Sequence, residues 1–303
     1  DHIRKIWDRY GKEGIAIGTG TGRHHMHWVP RLANMMGTPN SGNPGMAQCF
    51  FPRVNVMDLT YGQFAWCDYR GERMPGVLMF WGHNPLTSSP DGEIGFQVRD
   101  ALKTNPKIIV IDPRKTRLAR KAHVFLQLRP GTDDALALAM LNVIIEDGSY
   151  DKDFVEKWTY GFDRLAERVR QYTPEWAEPI TWVPAEKIRA AARLWMEAQP
   201  GAMEWGAAIE HTPNTIQTVR AISMLPALTG NIDVPGGWCF GMRGVAPFPF
   251  LPEVLPEEQR KKRLGGDQYR VLSGAGSRVP SAHMPSVFKS MRTGEPYWTK
   301  GFL

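Results

Sequence analysis

Three short apolar runs, each followed at once by a polar or glycine-rich block, most constrain how this chain can fold. The runs cover residues 77–80, 107–110 and 124–128. Each has the length and the continuous apolar character of a strand that is buried on both faces of a parallel sheet. Helical patterns follow these runs along the chain, as the crossover connections between parallel strands require. The sequence therefore predicts an α/β fold in which three strand ends lie side by side.

The blocks that follow these runs carry the chemistry. They are residues 81–85 (WGHNP), 111–114 (IDPR) and 129–133 (RPGTD). Open parallel sheets bind ligands at the carboxyl ends of their strands, where glycine turns admit a phosphate and an acidic side chain meets a ribose or base. The first turn lacks the G-x-G-x-x-G fingerprint, which disfavours a nicotinamide-dependent dehydrogenase. We therefore predict an edge of the sheet that binds a different nucleotide.

Charge and cysteine usage narrow the class further. The net charge of +6 favours anionic partners, such as the phosphates of a nucleotide. The basic run 114–121 is predicted to be a solvated helix face with one or two phosphate contacts, rather than a nucleic-acid surface. Cys49, Cys67 and Cys239 are too widely spaced for a zinc or iron–sulfur cage. No apolar run is long enough to cross a membrane, so we expect no direct membrane insertion.

The order and spacing of the blocks resemble the molybdopterin-dependent oxidoreductases of the dimethyl sulfoxide reductase family, over nearly the whole chain. The resemblance implies two Rossmann-like α/β domains with mostly parallel sheets, one of them discontinuous. Residues 76–225 would form a dinucleotide-binding domain, and residues 1–75 would pair with 226–303 to carry the metal-ligand loop. The further motifs behind the resemblance are residues 32–40 (LANMMGTPN), 151–161 (DKDFVEKWTYG), 228–237 (LTGNIDVPGG) and 294–297 (GEPY).

The resemblance also implies molybdenum or tungsten, held by two molybdopterin guanine dinucleotides, with Cys49 as the protein ligand. A soft thiolate suits a metal that dithiolene sulfurs already bind. A buried, inert cysteine is the alternative, and it is the interpretation we give to Cys67 and Cys239. Arg53, four residues beyond Cys49, is a catalytic candidate that can bind an anionic substrate. It can equally hold the loop through a carbonyl or an acid.

The candidate cofactor residues at the strand ends have separate roles. Glycine turns let backbone amides approach phosphates, whereas Asp112 suits a ribose and Asp133 suits the donor edge of guanine or caps a helix. Asn84 offers both a donor and an acceptor, and Thr116 offers a further phosphate contact. The set consists of Gly82, Asn84, Asp112, Arg114, Thr116, Gly131 and Asp133.

A second candidate segment, residues 206–211, resembles the family's loop near the pterin core. Gly206 and Glu210 join the cofactor set, and Asn231 is expected to shape a turn near the same centre. His211 can donate to a dithiolene or substrate oxygen and move protons, or its ring is satisfied by backbone. His24, His25 and His27 cluster in sequence, but the absence of acidic or cysteine partners disfavours a metal site there.

The function that the resemblance implies is two-electron transfer of an oxygen or sulfur atom to or from a small molecule. A 4Fe-4S cluster is expected only in a segment preceding this chain, and an iron–sulfur subunit is the expected electron-transfer partner. We expect an internal fragment that is inactive alone, from a bacterial cytoplasm or periplasm. Residues 255–266 (LPEEQRKKRLGG) look like a branch containing a non-redox tungsten hydratase, the acetylene hydratase type, which is one alternative. A non-catalytic scaffold homologue is the other.

Overall fold

The computed structural model describes residues 1–20, 28–43, 45, 49–88, 93–241, 251–274 and 281–303. His24, His25 and His27 lie outside these residues. The chain divides into two compact units, one formed by Asp1–Cys49 with Arg243–Leu303 and the other by Phe50–Met242. The first unit is therefore discontinuous in sequence.

The strands of the described residues are numbered in chain order. They are β1 Ile15–Gly18, β2 Asn40–Gly42, β3 Ala65–Cys67, β4 Val77–Trp81, β5 Lys107–Ile111, β6 Val124–Leu126, β7 Gly201–Trp205, β8 Trp238–Phe240 and β9 Gly301–Phe302.

The α-helices are numbered in the same way. They are α1 His2–Tyr10, α2 Trp28–Met36, α3 Phe51–Tyr61, α4 Pro85–Ser88, α5 Glu93–Ala101, α6 Asp133–Glu146, α7 Lys152–Trp158, α8 Phe162–Val169, α9 Pro174–Thr181, α10 Ala185–Glu197, α11 Thr215–Leu228, α12 Glu257–Lys261, α13 Arg270–Ser273 and α14 Met284–Thr293. Among the described residues, no helix is both long and apolar enough to span a membrane.

A four-stranded parallel sheet forms the centre of the larger unit. Its strand order is β6-β5-β4-β7, and Trp81 at the end of β4 is in register with Ile111 on β5 and Trp205 on β7. The chain moves from β4 outward through β5 to β6, and then returns to place β7 on the other side of β4. This change of direction makes the ends of β4 and β7 the topological switch point, where open α/β sheets bind ligands.

Helices cover both faces of this sheet, which explains why β4 is apolar throughout. Val77, Met79 and Trp81 belong to a large core that also contains residues of α6, α10 and α11. Leu78 and Phe80 point to a smaller core that includes residues of α5. Side chains alternate between the faces of a strand, so a strand covered on both sides is apolar at every position.

The smaller unit is built around a three-stranded parallel sheet in the order β2-β1-β9. Ile15 and Ile17 pack on Ala33 of α2, and Ala16 on the opposite face packs with Met284 of α14. The side chain of Asn40 cross-links this unit, because its amide donates to the Glu13 carbonyl at 3.0 Å while its Oδ1 accepts from the Leu264 amide at 3.1 Å.

The prediction of a mixed α/β fold with mostly parallel sheets is confirmed. The domain boundaries at 75 and 226 stay a prediction, although the two compact units change over at Cys49 and at Met242. Residues 51–61, for which the sequence predicts no element, form α3. Pro52 lies in the first helical turn, where proline is tolerated because the amide it lacks has no helical partner in that turn.

Candidate functional site

Two glycines let the ends of β4 and β7 approach each other closely. Gly82 follows β4 with φ of +57°, and Gly206 follows β7. A Cβ atom on Gly206 would lie 2.2 Å from the Gly82 carbonyl oxygen, a distance that no side chain can occupy. The Gly206 amide donates to the Trp81 carbonyl at 3.0 Å. Gly206 therefore lets the two backbone turns pack directly on each other, and we refer to this junction of Gly82 and Gly206 as the cradle.

Polar atoms without partners lie directly beside this cradle. His83 Nδ1 and Asn84 Oδ1 are both buried and have no hydrogen-bond partner. The backbone carbonyl of Asn84 is occupied, because it accepts the amides of Thr87 and Ser88 at the start of α4. Leaving a buried polar atom unpaired costs about 1–3 kcal/mol, so orphaned atoms at a strand end indicate a place for a ligand.

Arg53 acts as a clamp across the end of β7. Its Nε donates to Glu210 Oε1 at 2.6 Å, its Nη2 donates to the Trp205 carbonyl at 2.6 Å, and its Nη1 lies 3.5 Å from Glu204 Oε1. The guanidinium also lies over the Trp205 ring, 4.7 Å from its centroid. With all three nitrogens engaged, Arg53 holds α3 to β7. The structural alternative for this residue therefore fits better than binding of an anionic substrate.

Glu204 connects this clamp to a further set of titratable side chains. Its Oε1 lies 4.0 Å from His83 Nδ1, and its Oε2 accepts from the Tyr69 hydroxyl at 3.3 Å. Burial raises the pKa of Tyr69 and of the neighbouring Cys67 thiol well above their ordinary values, and the Glu204 carboxylate adds to both shifts. Tyr69 and Cys67 are therefore neutral across the physiological pH range.

Glu210 is the most deeply buried acid of the group. Its side chain is 2% exposed. Burial raises its pKa, and the Arg53 guanidinium and the Trp205 indole, which donates at 3.3 Å, act in the opposite direction. Glu210 was predicted to contact a cofactor. In the structure its carboxylate is already bound by Arg53 and Trp205, so its direct role is to hold the end of β7.

The end of β5 places Asp112 and Arg114 together. Asp112 is buried, and its Oδ1 accepts the Arg114 amide at 2.7 Å. The Arg114 side chain is largely exposed, with Nε 3.6 Å from the same oxygen. Thr116 accepts the Ala119 amide at 3.1 Å and so starts a short helical turn. Asp112 thus stiffens a turn from which Arg114 extends into solvent.

Asp133 has a structural partner that the sequence did not reveal. As the first residue of α6 it is buried, and its Oδ1 accepts from the Trp81 indole at 2.8 Å. Burial raises the pKa of this carboxyl, and the Trp81 hydrogen bond opposes that shift. Gly131, with φ of +81°, makes the turn into α6, as predicted for the residues that start this helix.

A depression of about 370 Å³ lies at the same edge of the sheet, beside the turns after β5 and β6. Trp182 presents an exposed ring there, and the Arg129 guanidinium lies 5.2 Å from its centroid. The lining residues are Pro113, Gln127, Leu128, Pro130, Trp182, Pro184 and Lys187.

Cys49 belongs to the smaller unit and lies, half-buried, in the turn that precedes α3. The three residues before it, 46–48, lie outside the described part of the chain. Within the described residues, no group of three or more histidine, cysteine or acidic side chains could hold a metal ion. The role of Cys49 as a metal ligand stays a prediction. His211 is exposed in the segment between β7 and α11, and its role is likewise untested.

Asn231 requires a correction. Its Oδ1 accepts the amide of Gly201, the first residue of β7, at 2.9 Å, and its Nδ2 donates to Thr229 Oγ1 at 2.6 Å. These contacts place the side chain at the amino end of β7, opposite the end that carries the cradle. Asn231 therefore ties a turn to the start of a strand, and we remove it from the candidate cofactor set.

Sequence reasoning missed His83, Glu204 and Tyr69. Glu204 could have been found, because a charged residue within an otherwise apolar buried strand is costly unless it serves a purpose. His83 lay inside a motif that was already singled out. Tyr69 gave no such signal, because only the folding of the segment after β3 brings its hydroxyl to Glu204.

The chain matches the family model described as molybdopterin oxidoreductase over residues 1–291. Among curated proteins it is 30% identical to the acetylene hydratase of Syntrophotalea acetylenica, over 100% of this chain and 44% of that protein. It is 33% identical to formate dehydrogenase H of Escherichia coli, over 86% of this chain and 38% of the relative. The chain thus spans less than half the length of these relatives.

A solved structure agrees with the sequence comparisons. The acetylene hydratase from Pelobacter acetylenicus superposes with a TM-score of 0.81 at 29% identity, covering 99% of this chain and 44% of that one. A third curated relative, found by sequence, is the dimethyl sulfoxide reductase DmsA of Escherichia coli. It is 31% identical to this chain over 82% of this chain and 34% of its own length. A molybdopterin cofactor with molybdenum or tungsten is what such relatives imply. With a match that covers almost every residue, the chain belongs to the molybdopterin oxidoreductase family.

Proposed function

We propose that this chain is the central portion of a longer molybdenum or tungsten enzyme that binds two molybdopterin guanine dinucleotides. The enzyme would catalyse two-electron transfer of an oxygen or sulfur atom to or from a small molecule. The observation that carries the proposal is the cradle at the switch point, where a Cβ atom on Gly206 would collide with the Gly82 carbonyl and the buried Asn84 Oδ1 has no hydrogen-bond partner. In this proposal each compact unit is one Rossmann-like domain.

The residues at the strand ends fit a phosphate-bearing cofactor. Beside the cradle, the buried Asn84 Oδ1 has no hydrogen-bond partner and is available to a ligand. At the end of β5, the Arg114 side chain is exposed and can bind a phosphate. Asp112 fixes the Arg114 backbone by accepting its amide hydrogen bond. When bound, the cofactor would supply the metal and its redox or Lewis-acid chemistry, and the strand ends would hold its nucleotide tail.

The depression beside Trp182 is suited to the base of that tail. Flat bases bind well against aromatic rings, and the ring of Trp182 is exposed next to the turns that contain Pro113 and Pro130. Asp133 was predicted to bind guanine directly. Its engagement with Trp81 favours an indirect role, in which it fixes the start of α6 and the Gly131 turn.

A non-redox tungsten hydratase is the second candidate. Acetylene hydratase is a relative that matches this chain over essentially its full length. The residue after Cys49, Phe50, belongs to an aromatic cluster. Its ring centroid lies 5.3 Å from that of Phe64, and the Phe64 centroid lies 4.5 Å from that of Trp66. An aromatic cluster of this kind in the larger unit suits a small apolar ligand better than an oxyanion.

The two chemistries are separated by one pair of assays on the longer protein, produced in a host that makes the cofactor. Reduced methyl viologen with a panel of oxyanions and sulfur compounds tests the redox enzyme, because substrate reduction bleaches the dye. Acetylene with a strong reductant tests the hydratase, because hydration yields acetaldehyde without consuming electrons. Dye oxidation by any panel member supports the redox proposal, and acetaldehyde alone supports the hydratase.

If the protein is a scaffold, a correctly folded sample should show neither dye oxidation nor acetaldehyde formation and should contain no bound metal. Electron transfer in the redox case needs a donor, for which we propose an iron–sulfur cluster preceding this chain or an iron–sulfur subunit. Copurification of such a subunit, detected by its visible absorption, would support that partner.

A further inference from the structure

The candidate site contains a histidine whose surroundings suit it to carry a proton. His83 follows β4 directly, and its side chain is 14% exposed. Its Nδ1 is buried without a hydrogen-bond partner, although an imidazole nitrogen is always a donor or an acceptor. A native structure tolerates such an atom most readily where a ligand or a proton is to be received.

Glu204 is the carboxylate that faces this nitrogen. Its Oε1 lies 4.0 Å from His83 Nδ1, on the neighbouring strand end, and its side chain is 13% exposed. A small rotation of either side chain would close the gap to a hydrogen bond. Carboxylates that hold one imidazole nitrogen fix the tautomer and orientation of the ring, and leave the other nitrogen for chemistry.

Further titratable side chains that surround this pair among the described residues are Arg53, Glu210, Tyr69 and Cys67. Arg53 approaches Glu204 from α3 at 3.5 Å but gives its shortest bond to Glu210. Tyr69 donates to the far oxygen of Glu204 and is neutral. Burial lowers the pKa of His83, Arg53 lowers it further, and Glu204 acts in the opposite direction. The lowered pKa favours the neutral imidazole, and the Glu204 carboxylate stabilises the protonated form.

We propose that His83 is an acid–base residue of this site and that Glu204 positions it, so that a ligand bound at the ends of β4 and β7 exchanges a proton with the imidazole. This assignment rests on the proposed function only in that the reaction must move protons. Removal of an oxygen atom as water takes up two protons with the two electrons from the donor, and hydration of a triple bond adds one proton to carbon. The neutral imidazole first takes a proton, from solvent or, in hydration, from the water whose oxygen adds to the substrate. The imidazolium then gives that proton to the ligand, and the ring is neutral again. In oxygen removal, solvent supplies the second proton of the water that is formed.

The first test needs no cofactor. The chain is labelled with ¹⁵N-histidine, and the imidazole nitrogens are followed by NMR as the pH is varied, with His83→Gln identifying the signals of His83. Removal of an opposite charge about 4 Å away is expected to lower the pKa of His83 by about 1–3 units in Glu204→Gln. Glu204→Asp, which keeps the charge, is expected to fall between that variant and the wild type.

A matched control is Glu156→Gln, which removes an exposed acid from α7 and is expected to leave the His83 titration unchanged. Thermal unfolding midpoints confirm that each variant is folded. A His83 titration that is identical in the wild type and in folded Glu204→Gln would overturn the proposal, because the carboxylate would then not act on the ring.

The second test uses the metal-loaded longer protein. His83→Gln is expected to lower kcat about 100-fold or more while metal content and KM stay unchanged, as loss of a general acid requires. Glu204→Gln is expected to shift the limb of the pH–rate profile that reports His83 to lower pH. A longer protein without metal would refute the proposed function and leave the NMR result to decide the role of Glu204. A loaded and active enzyme with undiminished kcat in His83→Gln would overturn this inference alone.

Discussion

Replacing Arg53 by alanine should strongly destabilise the larger unit, because it leaves Glu210 buried without its counter-charge. The Glu210 side chain is 2% exposed, and Arg53 Nε binds it at 2.6 Å. After the substitution, the Trp205 indole at 3.3 Å would be the one remaining hydrogen-bond donor to this carboxylate among the described side chains. Breaking one partner of a buried ion pair costs about 3–5 kcal/mol. That is a large part of the 5–15 kcal/mol, roughly, that stabilises a typical domain.

The cost of this substitution should depend on pH in a defined direction. Burial already raises the pKa of Glu210, and loss of the guanidinium would raise it further. A carboxyl with a raised folded-state pKa stabilises the fold below its unfolded-state pKa, and that contribution is lost as the pH rises through the folded-state value. The difference between wild type and Arg53→Ala should therefore be largest at neutral pH and smaller near pH 5.

Urea unfolding followed by tryptophan fluorescence measures the effect, and two further variants make it specific. In Arg53→Ala/Glu210→Gln the orphaned charge is gone, so we expect about 2 kcal/mol or more to be recovered. Arg70→Ala removes an ion pair whose side chains are 52% and 44% exposed, and should cost about 1 kcal/mol or less. A loss below about 1 kcal/mol for Arg53→Ala, or a double variant no more stable than the single one, would refute the reasoning.

Three further predictions concern separate parts of the larger unit. Asp133→Asn keeps an acceptor for Trp81 and removes a carboxyl whose folded-state pKa is raised by burial. The Asp133 carboxyl therefore contributes stability that is lost as the pH rises from about 4 through its folded-state pKa. Relative to wild type, the free energy of unfolding of Asp133→Asn, measured in urea, should increase toward pH 7. Asp163→Asn, at an exposed position, should show no such trend. Gly206→Ala forces a Cβ atom against the Gly82 carbonyl and should lower the free energy of unfolding by about 1–3 kcal/mol or more. Gly20→Ala, with no atom within 4 Å of its Cβ, should lower it by about 0.5 kcal/mol or less. Similar losses in the two variants would contradict the close approach at the cradle. Burial raises the pKa of Cys67, so Cys67→Ser should leave the number of thiols that react with Ellman's reagent in the native protein unchanged; a loss of one would show that Cys67 is accessible.

The parallel sheet could be predicted from the sequence because its strands are buried on both faces. Continuous apolar runs at 77–80 and 107–110 have no other comfortable environment, and the polar blocks after them had to follow the strand ends. The helix that starts at Asp133 was also predictable, since two acidic residues in its first turn favour the positive end of the helix dipole.

The start of α3 and the position of Asn231 could not be predicted in the same way. Pro52 is compatible with a first helical turn but does not require one, and the burial of Phe51 and Val56 shows why these residues form a helix. Asn231 lies in a motif that suggested a place near the cofactor, yet its amide satisfies the backbone at the opposite end of β7. Long-range hydrogen bonds of this kind leave no trace in local sequence.

The network around Glu204 could be predicted from the sequence only in part. A lone acid within β7 was visible in the sequence, but its partners come from α3, from the residue after Gly82 and from the segment after β3. Four separate segments must fold before Arg53, His83 and Tyr69 surround one carboxylate. Chemistry of this type is a property of the topology, and the switch point was the only part of it that strand order alone could locate.

The metal content of the longer protein, wild type and Cys49→Ala, tests the central claim most directly. Both proteins are purified from a host that makes the cofactor, molybdenum and tungsten are measured by mass spectrometry, and released guanine nucleotide is measured alongside. We predict close to one metal and two guanine nucleotides per wild-type chain, with metal weakened or lost in Cys49→Ala. A folded wild-type protein without metal or pterin would contradict the account.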